Sequence, residues 1–231
     1  MNNNFTPIQT TPSLISPDIS QVGGSDLHPI PPGEPLKLGI LASGNGSNFE
    51  AVAQAIASGQ LNATVKVLIY NNPGIKAVKR AQKWGVPAVL LNHRDYKLRE
   101  DFDQVVGGTL RQYEVEWVVM AGWMRVATPL LIDAFPNRII NIHPSLLPSF
   151  KGVRAVEQAL AAGVKITGCT VHLVLPEVDS GRILIQAAVP VLPGDTPETL
   201  HGRIQVEEHR ILPQAIVIAA GRGVANGEFS H

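Results

Sequence analysis

From residue 36 onward the chain alternates short apolar runs with turns of Gly, Pro, Asn and Ser and with segments of helical period. That alternation restricts the fold more than any other feature, because a strand followed by a crossover helix returns as a parallel strand with helices covering the sheet. Residues 37–42 (KLGILA) read as a buried strand, SGNGSN as the turn after it, and residues 49–58 as a helix. Strands follow at 64–70, 88–91, 117–121 and 138–142, interleaved with helices that end at Trp84 and span 97–112 and 129–134. Past Pro144 the rhythm changes. A Pro- and Gly-rich loop leads to a helix at 155–162, and then KITGCTVHLVL and ILIQAAVPV, separated by the turn PEVDSG, read as an antiparallel pair. A final helix from Pro197 to about Ala220 closes a single α/β domain of three layers, with an open, mostly parallel sheet and an antiparallel extension near its C-terminus.

Residues 1–35 stand apart, with seven of the 18 prolines, three acidic residues and no Lys or Arg. They lack the basic start of a signal peptide and the arginines of a transit peptide, and read as a flexible extension. Lys+Arg and Asp+Glu are both 19, so no positive field of the kind that neutralises a phosphate backbone is expected, and nucleic acid is not an expected partner. No apolar run reaches the ~20 residues of a membrane span. The single cysteine, Cys169, has no partner for an internal disulfide, and no Cys/His spacing resembles a zinc site. A cytoplasmic protein without a metal is expected, either monomer or homodimer.

In open parallel sheets ligands bind beyond the carboxyl ends of the strands. Four polar segments fall there: residues 43–48, 122–125, 141–145 and 177–181. The first opens a helix with two glycines and small polar residues, so it serves either as a capped glycine turn or as a phosphate cradle of main-chain N–H groups. It is neither a P-loop nor a GxGxxG turn. Asn141 and His143 lie two apart, on one face of a continuing strand. Histidine can act as acid or base, and an Asn amide can donate to a developing oxyanion. A histidine that only tethers the turn 144–148 has the same sequence. Asp179 can hold His143 charged if the two are close, or can merely cap its own turn. Arg125 reads as a solvated strand end, His172 as a core histidine, Cys169 as a packed hydrophobe, and residues 207–210 as the charged outer face of the last helix.

Together these segments closely resemble the phosphoribosylglycinamide formyltransferase family, through LGILASGNGSNFEAV, VVMAGWMRV, IINIHPSLLPSFKG, GCTVHLVLPEVDSG and QVEEHRILP in order between residues 37 and 219. The resemblance implies a formyltransferase fold with a Rossmann-like N-terminal half, a catalytic domain at 36–223 and a short tail at 224–231. It also implies transfer of the formyl group of 10-formyltetrahydrofolate to the amine of 5-phosphoribosylglycinamide (GAR), without a metal. Residue by residue, it makes Asn141, His143 and Asp179 the catalytic trio and Gly46, Ser47 and Asn48 the phosphate turn. Met124, Arg125, Val126 and Ala127, with Asn141, become the segment that holds the folate. Arg99 matches an arginine near the donor, Glu208 an acidic residue on the ribonucleotide, and His172 a pocket-proximal histidine ranked below the trio. Arg182 and Leu173 depart from the family pattern beside the Asp179 turn. Methionyl-tRNA formyltransferase and formyltetrahydrofolate hydrolase share the trio. The first resembles a chain with a further C-terminal domain and a basic surface for tRNA, the second a chain with an N-terminal regulatory domain. A non-catalytic nucleotide-binding module is the remaining alternative, and has no need of all three trio residues.

Overall fold

The computed structural model describes residues 14–16 and 34–222, the last of them by its main chain alone. The elements begin with β1 (Ile15–Ser16), β2 (Leu36–Ala42), α1 (Ser47–Ala57), β3 (Ala63–Tyr70), α2 (Lys76–Lys83) and β4 (Ala88–Leu90). After a 3-10 turn at His93–Asp95 come α3 (Arg99–Gln112), β5 (Trp117–Met120), α4 (Pro129–Ala134) and β6 (Ile139–His143). The chain continues with α5 (Ala155–Ala161), β7 (Ile166–Leu173), β8 (Ile183–Pro190) and α6 (Pro197–Arg222).

β2 shows why the strands read as continuous apolar runs. Leu38, Ile40 and Ala42 face one side and pack with Phe49 and Val52 of α1 and with Leu200 and Ile204 of α6. Leu41 faces the other side, with Phe102, Val106 and Leu110 of α3 and Leu131 of α4. A strand covered on both faces has no solvent side and therefore no polar alternation. Each such buried aliphatic side chain contributes about 1.5–3 kcal/mol, so these two clusters hold the three layers together.

The sheet order is β1-β8-β7-β6-β5-β2-β3-β4. The β2–β3, β3–β4, β2–β5 and β5–β6 ladders are parallel, whereas β6–β7, β7–β8 and β8–β1 are antiparallel. This is the mostly parallel sheet with an antiparallel extension expected from the strand rhythm. Because β3 and β4 lie to one side of β2 and β5 and β6 to the other, the order reverses between β2 and β5. Loops leaving two such strands diverge and open a crevice. Here they are also tied together: the Ser43 N–H donates to Gly122 O at 3.0 Å, and Ser43 Oγ accepts from the Met124 N–H at 2.9 Å.

β1 is a departure from the expected flexible extension. Ile15 and Ser16 pair with Ala187 and Gln186, and the Ala188 N–H donates to Leu14 O at 3.0 Å. The outer edge of β8 offers main-chain groups that need partners, and Ile15 adds an apolar contact with the core. Residues 1–13 and 17–33 of the extension, and the tail at 224–231, lie outside the described residues. Among the described residues no helix is long and apolar enough to cross a membrane.

Candidate functional site

The crevice at the β2/β5 reversal is a cavity of about 700 Å³. The turn after β2, the loop after β5, the end of β6, the start of α5, the turn before β8 and the inner face of α6 all line it. It therefore gathers the four polar segments that the sequence placed at strand ends.

In the first of these, Gly46 is the residue before α1 and has φ 74°, the left-handed region. A Cβ there would lie 2.6 Å from the Ala77 Cβ, so both the conformation and the space call for glycine. α2 braces the turn from behind: the Ala77 N–H donates to Gly44 O at 3.3 Å and Arg80 Nε to Asn45 O at 3.0 Å. Ser47 and Asn48 follow as the first residues of α1, whose leading N–H groups have no carbonyl within the helix to bond. Asn48 is buried and its Nδ2 donates to Glu208 Oε2 at 2.9 Å across to α6. Its Oδ1 is buried with no hydrogen-bond partner among the described residues. Burial pushes the Glu208 carboxyl above its ordinary value, against the Asn48 bond and the charge of His201. Glu207 is buried as well. The charged stretch of the last helix is thus not an outer face at these two positions.

The end of β6 carries the second group. Asn141 and His143 both line the cavity, as the two-residue spacing requires. The chain beyond them is pinned by the buried Thr170 of β7, whose Oγ1 donates to Ser145 O at 2.7 Å and accepts from the Leu147 N–H at 3.1 Å and from Gln186 Nε2 at 2.9 Å. Asp179, at φ 49° in the turn between β7 and β8, reaches back to this strand end. Its Oδ2 lies 3.3 Å from His143 Nδ1 and accepts the Gly152 N–H at 2.7 Å, while its Oδ1 lies 3.4 Å from His172 Nε2. Burial works against the Asp179 charge, yet the His172 and Gly152 bonds and the nearby imidazoles prevail and hold its carboxyl below the usual range. Asp179 therefore both caps main chain and faces His143.

The imidazole of His143 has its other nitrogen, Nε2, 2.8 Å from Phe150 O. A carbonyl can only accept, so Nε2 carries a proton here. With a carboxylate opposite Nδ1, the doubly protonated ring satisfies both neighbours. His172 is not a plain core histidine. It is buried, but its Nε2 lies 3.2 Å from Asn141 Nδ2 as well as near Asp179. Sequence reasoning ranked it below the trio because the β6–β7 register, which sets Asn141 opposite His172, is not visible in the chain.

The loop after β5 completes the wall. Met124 and Val126 are exposed and line the cavity, and Ala127 lines it although it is buried. Arg125 is half-buried with its guanidinium 4.8 Å from the centre of the Phe102 ring, so it is not a simple solvated strand end. Arg99 does not line the cavity. It acts on the wall from outside, its Nη2 donating to Val126 O at 2.9 Å. The departures at Leu173 and Arg182 meet through main chain, the Leu173 N–H donating to Arg182 O at 2.9 Å, a bond indifferent to either side chain. Cys169 is buried as expected, and burial pushes its thiol up.

Residues 36–216 match the formyl transferase family. The phosphoribosylglycinamide formyltransferase of Bacillus subtilis is 40% identical over 180 residues, covering 78% of this chain and 92% of that protein. The trifunctional purine biosynthetic protein adenosine-3 of Homo sapiens is 40% identical over 192 residues, 83% of this chain but 19% of that protein, so the chain spans about a fifth of such relatives. Among solved structures, glycinamide ribonucleotide transformylase 1 of Symbiobacterium toebii superposes with a TM-score of 0.80 at 46% identity, covering 82% of this chain and 90% of the other.

Proposed function

The chain belongs to the formyl transferase family, and we propose that it acts there as a phosphoribosylglycinamide formyltransferase, moving the formyl group of 10-formyltetrahydrofolate to the primary amine of GAR. The observation that carries this reading is a single cavity that holds His143, paired with Asp179, together with the glycine turn at Gly46. An acid–base group and an anion cradle in one cavity suit a phosphorylated acceptor better than water.

On this reading the GAR phosphate rests on the N–H groups of Gly46, Ser47 and Asn48 at the start of α1, and Glu208 receives a polar group of the same substrate. The folate lies along Met124, Arg125, Val126 and Ala127. Holding both substrates converts a bimolecular attack into one between prepositioned groups. The GAR amine nitrogen attacks the formyl carbon, and the carbonyl oxygen becomes an oxyanion. Asn141 donates to it through the Nδ2 hydrogen that His172 does not take. His143 donates through Nε2, exchanging the Phe150 carbonyl for the oxyanion. As the tetrahedral species collapses, the C–N10 bond breaks, the amine proton passes to N10, and formyl-GAR and tetrahydrofolate leave. His143 supports that proton movement with Asp179 keeping the ring charged. The chemistry asks for two small-molecule substrates in the cytoplasm and for neither a metal, a nucleic acid nor a membrane, and it runs equally in a monomer or a homodimer.

The test follows deformylation of a 10-formylfolate donor by absorbance, with GAR, with formyl-acceptor tRNA and with water alone, for the wild-type chain and His143→Ala. Turnover that needs GAR and collapses in the variant is the expected result. Donor loss without any acceptor would replace this reading with a hydrolase. Ligand binding with no turnover would replace it with a binding module.

A further inference from the structure

The loop 122–128 forms one wall of the cavity without regular structure of its own. Its shape is therefore set from outside. At one end the Met124 N–H is held by Ser43 Oγ. The rest is held by one face of the first turn of α3, where Arg99, Phe102 and Asp103 stand at i, i+3 and i+4 and so project together. Arg99 Nη2 grips Val126 O, the Phe102 ring stacks on Trp123 with centroids 6.0 Å apart and lies beneath the Arg125 guanidinium, and Asp103 Oδ2 accepts the Thr128 N–H at 2.7 Å.

Asp103 is the unexpected member. It is 2% exposed, under a loop where an apolar side chain would pack without desolvating a carboxylate. Burial pushes its carboxyl up, against the Thr128 bond and the charges of Arg125 and Arg99. The groups that compensate its burial thus belong to the loop or to the arginine that grips the loop. Losing Asp103 frees the Thr128 N–H and removes the negative charge facing both arginines.

We propose that Asp103 is a positioning residue for the formyl donor: its carboxylate, with Arg99 and Phe102 on the same face of α3, fixes the loop 123–128 in the shape that the folate meets. The inference rests on the reading that Met124, Arg125, Val126 and Ala127 hold the folate. Asp103 touches no substrate, so its signature is a change in donor KM apart from GAR KM.

The experiment measures kcat, KM for 10-formyltetrahydrofolate and KM for GAR in the full chain carrying Asp103→Ala, Asp103→Asn or Met124→Glu, with thermal unfolding alongside. Asp103→Ala is expected to raise donor KM about tenfold and to change GAR KM less than about twofold. Asp103→Asn keeps an oxygen for the Thr128 N–H but not the charge, and is expected to raise donor KM about threefold with GAR KM unmoved. Should Asp103→Ala fail to fold, this second variant decides alone. Donor KM unchanged, or donor and GAR KM rising together, overturns the proposal. Met124→Glu sets a carboxylate on the exposed face of the same loop. Donor KM that moves in Met124→Glu but not at Asp103 overturns the positioning role alone; donor KM that moves in neither overturns the folate-segment reading and the proposal with it.

Discussion

Asn141 and His172 stand directly opposite each other across the antiparallel β6–β7 ladder, with Asn141 Nδ2 3.2 Å from His172 Nε2. The direction of that bond is fixed by a third group. His172 Nδ1 lies 2.8 Å from Leu173 O, which can only accept, so Nδ1 carries a proton, and Nε2 accepts from the amide whenever it carries none. One Nδ2 hydrogen of Asn141 is thereby committed, and the other is aimed by it. With a proton on Nε2 the same ring donates instead to Asp179 Oδ1, 3.4 Å away.

The first prediction follows from this pairing. His172→Ala frees the Asn141 amide to rotate, so an oxyanion donor is kept but no longer aimed. We expect kcat to fall about 10- to 100-fold, less than the ~10²–10³ that removal of an oxyanion donor costs, with both KM values within about threefold. Steady-state kinetics of His172→Ala beside Asn141→Ala checks the order. Equal kcat in His172→Ala and the wild type would remove the orienting role.

Gly46→Ala tests the turn. The substitution places a Cβ 2.6 Å from the Ala77 Cβ on a residue with φ 74°, so α1 and α2 must separate or the turn must change shape. We expect a loss of about 1–3 kcal/mol in stability, the usual range for strained backbone, and a GAR KM raised more than donor KM. Denaturant unfolding gives the first quantity and kinetics the second. A donor-specific effect would place the phosphate elsewhere.

How much of this was legible depends on whether a feature is local. The β2 strand, the glycine turn and the i, i+2 relation of Asn141 and His143 are written within a few neighbouring residues and appear as expected. The family resemblance carried Glu208 to the ribonucleotide, where local charge pattern alone put it in solvent; the helix's Asn48 contact lies 160 residues away in sequence. Asp103 was missed, and His172 ranked below the trio, for the same reason. Their meaning comes from register and from a loop folding back over α3, and neither leaves a spacing in the chain. The strand at Ile15–Ser16 depends on the free edge of β8, a property of the assembled sheet.

Asp179→Asn tests the charge opposite His143. In the native chain the Asp179 carboxyl lies below its ordinary value, so its contribution to stability is complete above the unfolded value of ~3.9 and is lost as the pH falls through the lower folded value. The variant lacks that contribution at every pH. We expect its Tm to lie below the wild type at neutral pH and the gap to close in the acid range below about pH 4. Without the carboxylate the His143 ring loses the partner opposite Nδ1, and kcat should drop about 10²–10⁴-fold. A gap that is constant from pH 7 to pH 3 would show that the lost stability is not electrostatic.

Glu208→Gln separates function from stability. Burial raises the folded value of the Glu208 carboxyl, so between the unfolded ~4.3 and that raised value the native state binds the proton more tightly than the unfolded chain, and stability falls as the pH rises through this window. Glutamine has no such titration, and its Oε1 still accepts from Asn48 Nδ2, which bonds Glu208 Oε2 at 2.9 Å in the native chain. The variant is therefore expected to unfold at a higher temperature than the wild type above that raised value, with the difference shrinking as the pH falls through it and the native carboxyl takes up its proton. The same change removes a charged acceptor from the cavity, and if Glu208 meets the ribonucleotide as proposed, GAR KM should rise about tenfold or more while donor KM is unchanged. Calorimetry across a pH series from acid to alkaline and kinetics on the same preparations measure both. A wild type at least as stable as the variant throughout the alkaline range would mean that the cavity compensates the buried carboxylate in full and that its burial costs no stability.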